Sequence, residues 1–231
     1  MYIRKVSSLL IILNVLIFLA STLQANQVAK EGAKVGEWTM DYDAALKLAG
    51  EKQLPVLLNF TGSDWCGWCK LMDRSVFSQT QWQEFARREM VLVTLDFPRN
   101  PSIVPAKYVG RNENLRVAYG VEGFPTYMVV DSDGKTVLGK LGAAQEITPA
   151  MFIDQLKDLL RFREIEISKR VKTLSPEKGK AYRQAIKAYK DTEAQLMKWL
   201  ETRPVRNDAN LKIYEDYLTR LEAAEKQLGE F

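Results

Sequence analysis

The sequence has no histidine and only two cysteines, Cys66 and Cys69, in 231 residues. A structural zinc site needs four ligands, usually cysteine or histidine, so zinc would require two copies of the chain to share their cysteines. A fold stapled by disulfides would show more cysteines, widely spaced. A bridge across so short a loop removes little unfolded-state entropy, which makes stabilisation a poor reason for it. A plain surface disulfide remains an alternative reading of the pair. There is also no basic block. The formal net charge of +4 is spread along the chain, and nucleic acid is not implied as a partner. Internal repeats and low-complexity tracts are absent. What remains is ordinary globular composition, 46% hydrophobic and 27% charged.

The first 25 residues read as an export signal rather than part of the fold. Arg4 and Lys5 form a short positive region, Val6 to Ala20 is apolar apart from Ser7, Ser8 and Asn14, and Ser21 to Ala25 supplies a cleavage region. The rival reading is an uncleaved N-terminal anchor, since Val6 to Leu23 approaches the roughly 20 residues that a spanning helix needs. Asn14 and the polar end favour cleavage. Cysteine does not follow the apolar run, so a lipid anchor is not indicated. On either reading the remainder leaves the cytoplasm, and in a bacterium the periplasm is the expected destination.

Residues 26–37 read as a polar leader. Tyr42, Ala45, Leu46 and Ala49 recur at helical spacing behind Asp41, a candidate N-cap. Val56 to Phe60 reads as a short buried strand, followed by a turn and then Trp65-Cys66-Gly67-Trp68-Cys69-Lys70 opening a helix. A helical stretch near Trp82 to Glu89 precedes a strand at Met90 to Asp96. Phe97 to Gly110, with three prolines, reads as a loop, and Asn112 to Tyr119 as a short helix. Thr126 to Val130 and Thr136 to Leu141 read as strands joined by the turn Asp131-Ser132-Asp133-Gly134. Thr148 and Pro149 open a further helix as N-cap and first residue. The expected architecture is α/β, with helices on both faces of one central sheet. From about Glu164 strand-like runs cease. Tyr182, Ile186, Tyr189, Leu196 and Leu200 share one helical face, and Leu211, Tyr214, Leu218, Leu221 and Leu228 another, with Pro204 and Asn207-Asp208 between. This predicts a C-terminal helical hairpin. The expected division is 1–25 signal, 26–37 leader, 38–163 α/β domain and 164–231 helical extension. The mixed-sign cluster Arg161 to Glu166 reads as a solvated helix face.

A Cys-x-x-Cys that follows a strand and opens a helix has a chemical logic. The thiolate is the nucleophile, and helix N-termini lower a cysteine pKa from about 8.5 to roughly 3.5–7.5. Cys66 sits where unpaired helix amides and the positive end of the dipole stabilise its charge. Cys69 lies a turn further in, within bonding reach and more shielded. Cys66 is therefore the expected attacking thiol and Cys69 the resolving one.

Trp65-Cys66-Gly67-Trp68-Cys69-Lys70 resembles the active-site signature of the thioredoxin superfamily. Asn59-Phe60-Thr61-Gly62-Ser63-Asp64 before it is similar to one branch, the exported bacterial thioredoxin-like proteins related to the C-terminal domain of the membrane thiol–disulfide interchange reductase. Gly123-Phe124-Pro125-Thr126 resembles the second signature of the superfamily. The resemblance spans about residues 38–162. It implies a thioredoxin-like fold with a central mixed sheet, a cis bond before Pro125 facing the cysteine pair, and backbone groups of Phe124 offered to an extended substrate segment. It further implies disulfide exchange with protein thiols and disulfides and a membrane redox partner; no cofactor or metal is implied. Gly67, Trp65, Trp68 and Pro125 are expected to support the site, Trp68 facing substrate rather than packing on the core, and Trp65 either shaping the surface around the thiol or packing. Trp68 stands where cytoplasmic thioredoxins have proline. Asn59 stands where they have a buried acid, and Asp64 is a nearby but more exposed acid. Direction of electron flow is not legible, with a lean to reduction. The alternative of a different class is a non-catalytic binding module that uses the helical tail.

Overall fold

The computed structural model describes residues 28–231, so the expected signal at 1–25 lies outside the described residues. These residues form two compact units that divide between Leu159 and Leu160.

The first unit is built on a five-stranded sheet. Its strands are β1 (Trp38–Thr39), β2 (Val56–Thr61), β3 (Val91–Asp96), β4 (Thr126–Val130) and β5 (Val137–Leu141), in the order β1-β3-β2-β4-β5. β3 is parallel to β1 and β2, while β4 is antiparallel to β2 and β5. Helices α1 (Tyr42–Lys52), α2 (Gly67–Met72), α3 (Thr80–Glu89), α4 (Ala106–Ala118) and α5 (Pro149–Leu160) connect or follow the strands, and a π-helical turn at Asp73–Phe77 extends α2.

Strand side chains alternate between faces. Val56, Leu58 and Phe60 of β2 therefore share one face, where they pack with Val91, Val93 and Leu95 of β3, Met128 and Val130 of β4, and Ala45 and Ala49 of α1. On the opposite face Phe77 is the hub of an aromatic cluster. Its ring centroid lies 5.3 Å from Trp38, 5.1 Å from Trp82, 5.2 Å from Tyr127 and 5.5 Å from Phe152. Helices thus cover both faces, and the fold is the thioredoxin-like mixed sheet that the motifs imply. Local signals operate as expected: Asp41 Oδ1 accepts from Ala44 N at 3.1 Å, and Thr148 Oγ1 from Met151 N at 3.2 Å.

The structure differs from the sequence reading in several places. β1 was not expected, because two residues are too few to display a period. The leader lies along the sheet edge, with Ala29 N donating to Trp38 O and Gly36 N to Met90 O, both at 2.9 Å. Gly36 has φ +73°, and a Cβ there would stand 2.4 Å from the Arg87 backbone, so only glycine fits. α4 begins at Ala106, well before the expected Asn112. Pro105 occupies its N-cap, where a missing N–H costs nothing. The helix then buries Tyr108 beside Met40 and Val104.

The second unit contains three helices, not the two of a bare hairpin: α6 (Glu164–Lys172), α7 (Pro176–Glu201) and α8 (Asp208–Leu228). Ser175 Oγ caps α7 and Asn207 Oδ1 caps α8. Ile167, Tyr182 and Ile186 form a small core with Phe162, Leu228 and Phe231 against it. The Arg161–Glu166 cluster is not simply a solvated face. Arg163 is buried, Phe162 stacks on Tyr189 at 4.8 Å, and Arg161 pairs with Glu225. The solvated reading failed because mixed charges hid the apolar stems and the one ring that pack. Among the described residues no helix is long and apolar enough to cross a membrane.

Candidate active site

The site grows from the end of β2. After Thr61 the chain turns at Gly62, whose carbonyl accepts from Cys66 N at 2.8 Å and Trp65 N at 3.2 Å. A Cβ on Gly62 would meet the Trp65 ring at 2.4 Å, so the indole can lie over the turn only because that residue is glycine. Asp96 ends the neighbouring strand opposite Thr61. Its buried carboxylate accepts from Ser63 N at 2.9 Å and Ser63 Oγ at 2.6 Å, which meets the need of a buried charge for hydrogen bonds. Asp64 fixes a second loop, accepting from Asn100 N at 2.9 Å and Arg99 N at 3.0 Å. The Asn100 amide, foremost among several donors, holds the Asp64 carboxyl below the ordinary aspartate range. Lys70 Nζ donates to Asp64 O at 2.6 Å.

Cys66 is the N-cap of α2, with φ −76° and ψ 110°. Its sulfur accepts from Cys69 N at 3.1 Å, and the two cysteines are joined by a disulfide across a Cα separation of 5.2 Å. Gly67 is the first helical residue, and no atom crowds its Cβ position. Cys66 and Cys69 are 5% and 6% exposed. The expectation that Cys69 is the better shielded thus fails in the bonded state, where one bridge holds both sulfurs against the helix start.

Trp68 is half exposed and Trp65 is 39% exposed. Trp65 is nonetheless anchored. Its Nε1 donates to Phe97 O at 2.8 Å, its ring meets Phe124 edge-on at 5.9 Å, and the Arg99 guanidinium lies 5.6 Å from its centroid. Phe97 stacks on Phe124 at 5.1 Å and on core Phe60 at 6.5 Å, so a line of rings links Trp65 to the sheet. The Phe124–Pro125 peptide is cis and Pro125 is buried. Since Phe60 pairs with Thr126, Pro125 falls beside Thr61, where β2 enters the cysteine turn.

A family model described as a thioredoxin-like domain matches residues 42–160. The chain belongs to the thioredoxin-like family. It is 31% identical over 122 residues to the disulfide bond reductase DsbH of Chlamydia pneumoniae, an alignment covering 53% of this chain and 72% of that protein. It is also 28% identical over 108 residues to the thioredoxin-related protein DsbJ of the same organism, covering 46% of this chain and 30% of that one. A solved structure of DsbH oxidoreductase superposes with a TM-score of 0.51 at 28% identity, over 61% of this chain and 90% of that structure. With a bonded Cys-x-x-Cys at the helix start, this thioredoxin-like chain is a thiol–disulfide oxidoreductase.

Below Cys69 this thioredoxin-like site has a pocket of about 310 Å³, lined by Asn59, Thr61, Ser63, Thr94, Cys69, Lys70, Asp73 and Arg74 among others. It forms where the second sheet face turns from apolar to polar, since Asn59 is paired with Thr94 on one side and Tyr127 on the other. Asn59 Oδ1 is buried and accepts no hydrogen bond from the described residues. Asp73 lines the pocket and is exposed to solvent. Desolvation raises its carboxyl above the ordinary aspartate value, against the opposing pull of Arg74. Sequence reasoning missed Gly62, Ser63, Asp96 and Asp73 as parts of the site. The spacing of Cys69 and Asp73, one helical turn, was the one signal available for Asp73. Nothing local pointed from Asp96 to Ser63.

Proposed function

We propose that this protein is exported and exchanges disulfides with protein substrates through Cys66-Gly67-Trp68-Cys69, running in the reducing direction. The observation that carries the reading is Cys66 at a helix N-cap, its sulfur receiving the Cys69 amide. The same amide and the helix dipole favour a thiolate once the bridge is reduced. The Cys66 thiolate attacks one sulfur of a substrate disulfide, breaks that bond and forms a mixed disulfide. The other substrate sulfur leaves as a thiolate. Cys69 then attacks the Cys66 sulfur and releases the second substrate thiol, and the Cys66–Cys69 bond of the structure is restored. Two electrons pass to the substrate, and a membrane electron donor returns them to the pair.

Exposed Trp68, the edge of Trp65 and the backbone at Phe124 and Pro125 receive the substrate segment. Export is supported by Arg4, Lys5 and the apolar run after them. The reducing direction is supported by likeness to a relative named as a reductase. Residues 38–163 carry the chemistry in this reading, and residues 164–231 form an accessory extension. A redox titration of the Cys66–Cys69 couple tests the direction. A potential near the roughly −270 mV of thioredoxin is expected, and one near the roughly −120 mV of strong oxidants would reverse it. A Cys69→Ser variant should accumulate mixed disulfides through Cys66, and finding none with cellular proteins would favour a binding module instead.

A further inference from the structure

Resolution of a mixed disulfide needs Cys69 as a thiolate, yet Cys69 is buried and burial disfavours the charged form. The pocket that Cys69 lines offers its proton a way out. Away from the helix, the polar lining of that pocket is Asn59, Thr61, Ser63 and Thr94, all neutral. Asparagine can orient a proton carrier but cannot itself take the proton. Asp73 is the one carboxylate among the lining residues. It lies one turn beyond Cys69, its N–H bonded to the Cys69 carbonyl. Side chains on a helix lean toward its N-terminus, which directs Asp73 toward the end of the pocket that Cys69 lines. A π turn starts at this residue, with Ser78 N donating to Asp73 O at 2.8 Å, and such turns recur at functional sites. A pocket of about 310 Å³ holds several waters, each needing roughly 30 Å³. The orphaned Asn59 Oδ1 gives one of them a partner.

We infer that Asp73 accepts the proton of Cys69 through this pocket as Cys69 resolves the mixed disulfide, and returns it when the pair is reduced. The inference rests on the proposed roles of Cys66 and Cys69. The Cys69 S–H bond breaks, its proton passes to the Asp73 carboxylate, and the sulfur's electron pair forms the bond to Cys66. Asp73 then unloads to solvent. The charged and titratable groups facing it are Lys70 and Arg74 on its own helix and Tyr127 on β4. Both cations oppose its protonation. Desolvation outweighs the pull of Arg74, which leaves the carboxyl raised above the ordinary aspartate value.

The test uses reduced full-length protein and 5,5′-dithiobis(2-nitrobenzoate). Attack by Cys66 releases one coloured thiolate, and resolution by Cys69 releases the second. In Asp73→Asn the second release should slow by roughly 10²-fold relative to the first at pH 7. The gap should narrow only as pH rises beyond about 8.5, since burial holds the unaided Cys69 thiol above the free-cysteine value. Asp73→Glu should restore most of the rate. The first release shows that each variant is folded and its nucleophile intact. A ratio of the two releases in Asp73→Asn equal to that of the wild type at every pH would overturn the inference. Absence of a fast first release in the wild type would instead overturn the reading of Cys66 on which it stands.

Discussion

The two units of this chain use apolar surface in opposite ways. Up to Leu159, strands and helices bury it on both faces of a sheet, and the buried polar residues Thr61, Thr94 and Asp96 lie where the strands run out toward the cysteine turn. From Leu160 onward the helices bury a thin stripe and leave Met197, Leu200, Val205, Leu211, Ile213, Tyr214 and Leu218 exposed. Deep packing lets a chain hold strained or buried polar groups where chemistry needs them. The helical unit has a smaller core around Ile167, Tyr182 and Ile186, and its exposed pairs, such as Arg183–Glu164 at 2.7 Å, contribute little singly.

Substitutions can break or sharpen this contrast. The largest effect is expected at the hub of the sheet unit. Phe77→Ala should lower unfolding free energy by about 3–5 kcal/mol in urea melts. A loss below about 1 kcal/mol would mean that the ring cluster is not a rigid core. Ser63→Ala comes next. It removes a hydroxyl that donates to the buried Asp96 carboxylate, and should cost about 1.5–3 kcal/mol in the same assay. Asp64 gives a smaller, pH-dependent effect. Its folded-state pKa lies below the ordinary 3.8, so its contribution is present above that value and is lost as pH falls through the depressed one. The stability difference between wild type and Asp64→Asn should therefore shrink on acidification, and a difference that grew would contradict the backbone donors as its cause. In the helical unit, Leu218→Ala should change stability by no more than about 0.5 kcal/mol. A larger loss would show that this exposed stripe is covered in solution.

Most of the sheet unit was legible in the sequence, since strands such as Val56–Thr61 and caps such as Asp41 and Thr148 announce themselves through local pattern. The cysteine pair was legible for the same reason: a strand, a turn and a helix start are contiguous. β1 escaped because its two residues pair with a strand far away in sequence, which no period reveals. The start of α4 was hidden by its prolines, which mark a boundary without saying on which side the helix lies. Ser63, in the turn after β2, meets Asp96 at the end of β3, and Asp73 enters the site because the sheet face beside it turns polar. Such contacts are products of topology. In the second unit, charge patterning around Arg163 suggested solvent where the fold placed a buried side chain, since a guanidinium can be buried when partners surround it.

The account depends on Cys66 being a thiolate at neutral pH because a helix begins at that residue. The most direct measurement is the rate of iodoacetamide alkylation of Cys66 in the reduced protein as a function of pH. The account predicts an apparent pKa within roughly 3.5–7.5, and a midpoint at or above about 8.5 would contradict it.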